Sequence, residues 1–435
     1  MLPSCARSRI IANCSLKPVA VARFHSQPEI EFIREHDKYT VTTYARPDIV
    51  LAKGQGSYLW DIQGKKYVDF MSGIAVTALG HSNPNIANIM SSQSSTLMHS
   101  SNLYHNDWTP KLAKALVTKT LESGAMGKAS RAFIANSGSE ANEAAIKFAR
   151  KWGHVRNPSG EKIELVSFNK SFHGRTYGAL SVTANSKYQE PFRPLVPGVK
   201  IGDLNDISAI PNLVTERTCG VIVEPIQGEG GVNVANKEFM VALRKRCTEV
   251  GALLIYDEIQ CGLGRTGDLW AHSALSKDAH PDILTMAKAL GNGFPVSATM
   301  ITEQVESILK VGDHGTTYGG NVLASRIGHY VFSEITNPEF LSDVRRKSDI
   351  LRSHLIKLQK AYPNAISEIR GRGFLLGLQL TVDVTPYIKA AAEHGLLIIT
   401  CGTNTIRFVP ALNIPDETIE EGVHILNKVF SALGN

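Results

Sequence analysis

The sequence has no apolar run approaching the roughly 18 residues that cross a bilayer as a helix, so nothing in it calls for a membrane. Cysteine is scarce, six in 435 residues, with no CxxC pair and no Cys/His spacing suited to a metal, and HExxH is missing. No metal site is expected, and Cys219, Cys247, Cys261 and Cys401 are expected to be reduced structural thiols. Acidic residues are absent before Glu29, while Arg7, Arg9, Lys17 and Arg23 lie among serines and alanines. That composition is the signature of a mitochondrial transit peptide, so residues 1–28 are expected to be removed near "VARFHSQ" and the mature chain to work in the matrix. Losing those four cations lowers the formal net charge from +6 to +2, and the alkaline pI then gives no argument for nucleic acid.

What remains, 43% hydrophobic and 20% charged, suits two domains or one large core with a smaller lobe. Residues 39–70 alternate apolar and polar positions and are broken at Gly54, Gly56 and Gly64, the pattern of short strands and turns. From about Pro84, the strand-like runs "RAFIAN", "IELVSF", "CGVIVEPI" and "GALLIYDEI" alternate with helical patterns, which predicts a mainly parallel sheet covered by helices on both faces. After Thr336 come a helix, three more strand-like runs and a closing helix near "IEEGVHILNKVF". The expected organisation is a leader (1–28), the first part of a small lobe (29–83), a large α/β domain (84–315), and an interface loop with the α+β remainder of the small lobe (316–435).

Ligands of parallel α/β sheets collect where strands end and helices begin. Three features of the sequence are expected there. In "NSGSEANEAAIKFARKW", Ala141, Ala144, Ala145, Phe148, Ala149 and Trp152 recur at helical spacing, so a helix follows the Ser137-Gly138-Ser139 turn. Its start offers unpaired N–H groups to a phosphate, and Ser137 with Glu140 also reads as an ordinary capping box. Asp257 ends an apolar run, so a carboxylate reaches the end of a central strand and needs a cationic or donating partner there, either a protonated ring nitrogen or an arginine. Lys288 lies between Met286-Ala287 and Ala289-Leu290, where the alternative to a functional ammonium is a stem laid along apolar surface with its head in water.

A phosphate cradle, a carboxylate for a ring nitrogen and a secluded lysine are together the parts required by pyridoxal 5'-phosphate. The lysine forms a Schiff base with the aldehyde, and the carboxylate keeps the ring protonated and electron-withdrawing. The rival is "GLGRTG", Gly262 to Gly267, which matches the dinucleotide pattern of an NAD-dependent oxidoreductase letter for letter. That fingerprint requires a helix opening within it and an acid about 20 residues later at a second strand's end, whereas here the acid precedes the glycines and "AHPDILTMAKAL" occupies the second strand's place.

Taken in order, "NSGSEANEAA", "FHGRT", "EPIQGEGG", "DEIQCGLGRTG", "AKALGNGFP" and "HGTTYGGN" resemble the motifs of the class III, or ω-amino-group, aminotransferases. The resemblance covers nearly all of the chain after Tyr39 and implies PLP fold type I (aspartate aminotransferase-like), a large mainly parallel α/β domain with a smaller α+β lobe built from both chain ends. It implies Lys288 as the Schiff-base lysine, Asp257 as the partner of the pyridine nitrogen and Gln260 as a donor to the phenolic oxygen. Gly138 and Ser139 would hold the phosphate, with Phe172 on one ring face and Ile259 on the other. Thr317 would reach the cofactor of a second subunit in a homodimer with shared sites.

The resemblance also implies small-molecule substrates of two kinds, an amine remote from its carboxylate and the α-amino acid glutamate. Arg175, with Thr316 assisting, would take the carboxylate remote from the reacting nitrogen. Arg407 would grip the α-carboxylate of glutamate, and Glu229 would close on Arg407 when the substrate lacks that group. The chain departs from many bacterial members at Thr77 and at Asn83-Pro84, which leaves the cofactor chemistry untouched.

Overall fold

The computed structural model describes residues 27–275 and 277–434, so the expected leader, apart from its last two residues, lies outside the described residues. The central sheet has seven strands, numbered along the chain as β1 (Ala129–Ala135), β2 (Glu164–Phe168), β3 (Val199–Gly202), β4 (Thr218–Val223), β5 (Leu253–Asp257), β6 (Ile283–Met286) and β7 (Ser297–Thr302). Their spatial order is β1-β7-β6-β5-β4-β2-β3. Pairing is parallel from β6 through β3, and β7 runs antiparallel to both of its neighbours.

Because helices cover both faces, the inner strands read as continuous apolar runs, and every residue of β4, β5 and β6 is buried. The pleat of β5 divides its side chains between two cores. Leu253 and Ile255 pack with the Ala144, Phe148 and Trp152 stripe of helix Gly138–Arg156, whereas Leu254 and Tyr256 pack with Phe239 and Leu243 of helix Lys237–Val250. The first helix approaches the sheet so closely that a Cβ on Gly153 would lie 2.0 Å from the Lys162 carbonyl oxygen and 2.6 Å from Cys219 Cβ.

The chain ends meet as expected. Strands Leu51–Gln55, Tyr58–Asp61 and Lys66–Asp69 form an antiparallel sheet that is completed by Leu396–Leu397, parallel to the third. A four-stranded antiparallel sheet (Ile366–Arg372, Leu375–Leu380, Thr405–Phe408, Ile399–Cys401) and the closing helix Asp416–Leu433 complete the C-terminal part.

One expectation needs revision. "ILTM" within "AHPDILTMAKAL" is strand β6, so that part of the case against a dinucleotide site falls. The remainder stands, since residues 261–270 run as turns and bends and open no helix. Arg265 of that turn is buried instead, donating to the carbonyls of Phe374 and Pro410 and tying the turn to the C-terminal part. Helix Val322–Ile335 packs on helices Pro84–Ser94 and Thr109–Glu122 and on the Lys288–Gly291 turn, so we propose that the central unit extends to about residue 336.

Candidate active site

β5 lies fourth of seven, so its last residue, Asp257, sits in the middle of the sheet's carboxyl edge. Among the described residues no arginine pairs with it. Oδ2 accepts from Asn142 Nδ2 and from His173 Nδ1, both at 2.8 Å, and Oδ1 accepts from the Ile259 N–H at 3.0 Å. An ionised carboxylate can only accept, so His173 Nδ1 carries the proton. Oδ1 keeps acceptor capacity for one further donor. Asn142 is itself held, accepting from Thr285 Oγ1 at 2.8 Å and donating to the His173 carbonyl at 2.7 Å.

Asp257 opens onto a cleft of about 300 Å³ whose lining includes Gly138, Ser139, Phe172, Ile259, Gln260 and Lys288. Thus seven of the predicted site residues, drawn from four stretches of sequence, share one cavity. Lys288 begins a single 3₁₀ turn after β6, in the left-handed region at φ 39°. It is half-buried and lines the cleft. Burial, and then the Arg407 charge, lower its pKa to about 8, while Asp257, Glu224 and Glu229 oppose the shift.

At the other end of the cleft, Ser137 caps helix Gly138–Arg156 by accepting from the Glu140 N–H at 3.2 Å. The N–H groups of Gly138 and Ser139, ahead of it, have no intrahelical acceptor, so cap and anion site coexist. A Cβ on Gly138 would lie 3.0 Å from Ile259, which accounts for a glycine where the helix start meets that side chain.

The substrate residues lie around this centre. Arg175 is exposed and carries no carboxylate among the described residues; its guanidinium lies 3.6 Å from the Tyr188 ring centroid and 5.5 Å from that of Phe172. Arg407 is 1% exposed and stands behind Gln260, donating at 2.9 Å to Gln260 Oε1 and at 2.9 Å to Glu229 Oε2. The Thr316 hydroxyl lies between Asn136 Nδ2 and Glu140 Oε1, each at 3.3 Å. Thr317 is exposed and lines no part of this cleft.

Several residues of the site escaped the sequence reading. Asn142 recurs with Ala145 and Ala149 on the helix's buried face, and a polar residue at such a position was the available signal. His173 sat unexamined beside Phe172. Glu224 is buried, accepting from the N–H groups of Phe172 and Gly228 at 3.1 and 3.3 Å, and burial raises its carboxyl to about 7. Val76, also in the lining, follows four successive left-handed residues from Ser72 to Ala75, anchored by Asp69 Oδ1 accepting from the Met71 and Ser72 N–H groups. Sequence gives no warning of that conformation.

A larger cleft, about 1050 Å³, lies at the opposite edge of the sheet and is lined by Lys128, Arg156, Lys162 and Lys277. Helices Thr109–Glu122, Gly138–Arg156 and Lys237–Val250 all end around it, and Lys162 Nζ donates to the Val250 carbonyl at 2.7 Å. Lys162 thus answers the carbonyl end of helix Lys237–Val250.

The residues fit pyridoxal phosphate. The helix start offers free N–H groups at one end, Asp257 keeps an acceptor site in the middle, and Lys288 carries no ion-pair partner among the described residues.

Comparison with known proteins agrees. A family model described as aminotransferase class-III matches residues 40–430. The mitochondrial acetylornithine aminotransferase of Neurospora crassa is 58% identical over 93% of this chain and 88% of its own, and that of Saccharomyces cerevisiae 51% over 92% and 96%. Among solved structures, N-acetylornithine aminotransferase from Stenotrophomonas maltophilia superposes with a TM-score of 0.78 at 34% identity, covering 92% of this chain and 98% of that one. Ornithine aminotransferase from Toxoplasma gondii superposes with a TM-score of 0.86 at 32% identity, covering 93% and 95%.

Proposed function

The chain belongs to the class-III aminotransferases, and from that membership we propose that it moves the terminal amino group of N2-acetyl-L-ornithine to 2-oxoglutarate, giving N-acetyl-L-glutamate 5-semialdehyde and L-glutamate. It does so in arginine biosynthesis, in the mitochondrion. The fold does not separate this reading from ornithine transamination, since an ornithine aminotransferase superposes at least as well. Sequence separates them: the fungal acetylornithine enzymes reach 60% identity, against 32% for that ornithine enzyme.

Bound pyridoxal phosphate supplies an aldehyde carbon to carry the amino group and an electron-poor ring to stabilise charge on the neighbouring carbon. Lys288 would be the covalent attachment point for the cofactor and the base that could move a proton at the amine-bearing carbon. Asp257, oriented by Asn142 and His173, would hold the proton on the ring nitrogen. Gly138 and Ser139 bind the phosphate, and Phe172 and Ile259 confine the ring. Gln260 donates to the phenolic oxygen.

The observation that carries the dual-substrate reading is the Glu229–Arg407 pair, formed at 2.9 Å with the guanidinium buried. A substrate whose reacting nitrogen is remote from a carboxylate meets a neutralised Arg407, whereas glutamate displaces Glu229 and takes the arginine for its α-carboxylate. Arg175 serves the distal carboxylate in both. Support for a homodimer with Thr317 facing the partner's cofactor comes from Thr317 lying outside its own cleft, among exposed Leu103, Tyr104 and Tyr318. The four cations and missing acids of residues 1–28 support a transit peptide.

The test compares N2-acetylornithine, ornithine and 4-aminobutyrate as donors to 2-oxoglutarate at equal concentration. Acetylornithine is expected to react fastest, and faster turnover of either rival would overturn the assignment.

A further inference from the structure

Arg407 does more than face Glu229. Its Nη1 donates to Gln260 Oε1 at 2.9 Å, so one guanidinium holds both the gating carboxylate and a residue of the cleft wall. A guanidinium only donates, so it can hold only the oxygen end of the amide. The amino end, Nε2, is thereby turned away from Arg407, on a side chain that lines the cleft with Lys288 and Asp257.

The packing allows little alternative. A Cβ on Gly228 would lie 2.1 Å from Gln260 Oε1, 2.2 Å from its Cδ and 2.6 Å from its Nε2, so the amide lies flat on the backbone beside Glu229. Gln260 is 9% exposed and makes one side-chain hydrogen bond among the described residues, the one from Arg407. Arg407 itself does not line the cleft.

We propose that Gln260 is a positioning residue that couples Arg407 to the phenolic oxygen of the cofactor, so that the ring senses whether the arginine holds Glu229 or a substrate carboxylate. The inference rests on the functional reading above, since it requires the cofactor in this cleft. When glutamate's α-carboxylate takes the place of Glu229, the guanidinium reorients to meet it, the hold on Oε1 changes, and the hydrogen bond given by Nε2 changes with it. The two substrates therefore meet a ring of different acidity, set by a neutral amide and not only by nearby charge. The charged and titratable groups facing the attachment lysine are Asp257, Glu224, Glu229 and Arg407, with His173 behind Asp257.

The experiment titrates the holoenzyme's cofactor absorbance against pH, with and without glutarate, a dicarboxylate that has no amine to react. In the unaltered protein glutarate is expected to move the midpoint by roughly half to one pH unit, the scale of one hydrogen bond gained or lost. In Gln260→Ala the movement should fall to a third of that or less, while competition against glutamate shows glutarate still bound. Arg407→Lys keeps the charge but cannot hold Oε1 and Glu229 together, so without glutarate its midpoint should already lie off the unaltered value, toward that of Gln260→Ala. If Gln260→Ala does not fold, this second variant decides. A full glutarate shift in Gln260→Ala, or an unmoved midpoint in Arg407→Lys, overturns the coupling and leaves the functional reading intact. A holoprotein preparation with no cofactor absorbance overturns both.

Discussion

Replacing Glu229 with alanine should change the preference between the two amine donors far more than it changes overall competence. Arg407 is 1% exposed, and Glu229, 34% exposed on its side chain, is its one carboxylate partner among the described residues. Stripping a partner from a fully buried ion pair costs about 3–5 kcal/mol, and an exposed pair contributes about 1 kcal/mol at most. This pair lies between those limits, so an imbalance of about 1.5–2 kcal/mol is expected, which corresponds to roughly 10- to 30-fold in a rate or binding ratio. Glutamate gains, because its α-carboxylate no longer has to displace a competitor. Acetylornithine loses, because the bare arginine draws its α-carboxylate inward and presents an acetylated nitrogen that cannot react. Rapid-mixing half-reactions, followed at the cofactor absorbance with each donor alone, should show the glutamate-to-acetylornithine ratio of kcat/KM rising by about that factor. Glu229→Gln, which keeps a hydrogen-bond acceptor without the charge, should fall between. Equal losses on the two donors would refute the gate.

Two further outcomes follow from local geometry. The lowered Lys288 ammonium, near pH 8, makes the nucleophilic neutral amine available at lower pH than an ordinary lysine would. Covalent capture of pyridoxal phosphate by the cofactor-free protein should therefore rise about tenfold per pH unit up to about pH 8 and then level off, and a rise continuing to about pH 10 would show an unshifted lysine. Gly153→Ala, whose new methyl would lie 2.0 Å from the Lys162 carbonyl oxygen, should cost about 3 kcal/mol or more and lower the melting temperature by several degrees. A loss of about one degree or less would mean that the helix can lift off the sheet at little cost.

Much of this was legible because it is local. The spacing of Ala141, Ala144, Ala145, Phe148, Ala149 and Trp152 announces a helix whatever surrounds it, and all six are buried where that helix meets the sheet. The apolar run before Asp257 needs a strand covered on both faces, which leaves its carboxylate at the strand's end. The chemistry of Lys288, Asp257 and the Ser137-Gly138-Ser139 turn could likewise be inferred from residue type and position. "ILTM" was harder, because four apolar residues carry too little periodicity to distinguish a strand from a helical turn.

The sequence by itself determined which groups are present and on which kind of element each sits, because hydrogen bonding and side-chain periodicity act within a few residues along the chain. Which groups touch was left to the tertiary structure. Asn142 and His173 reach one oxygen of Asp257 from 115 and 84 residues away, and Arg407 reaches Gln260 and Glu229 from 147 and 178 away. Those separations are bridged only when the sheet orders its strands and the last sheet packs back on the first, so the ring's charge partner, the gate and the amide between them are products of packing.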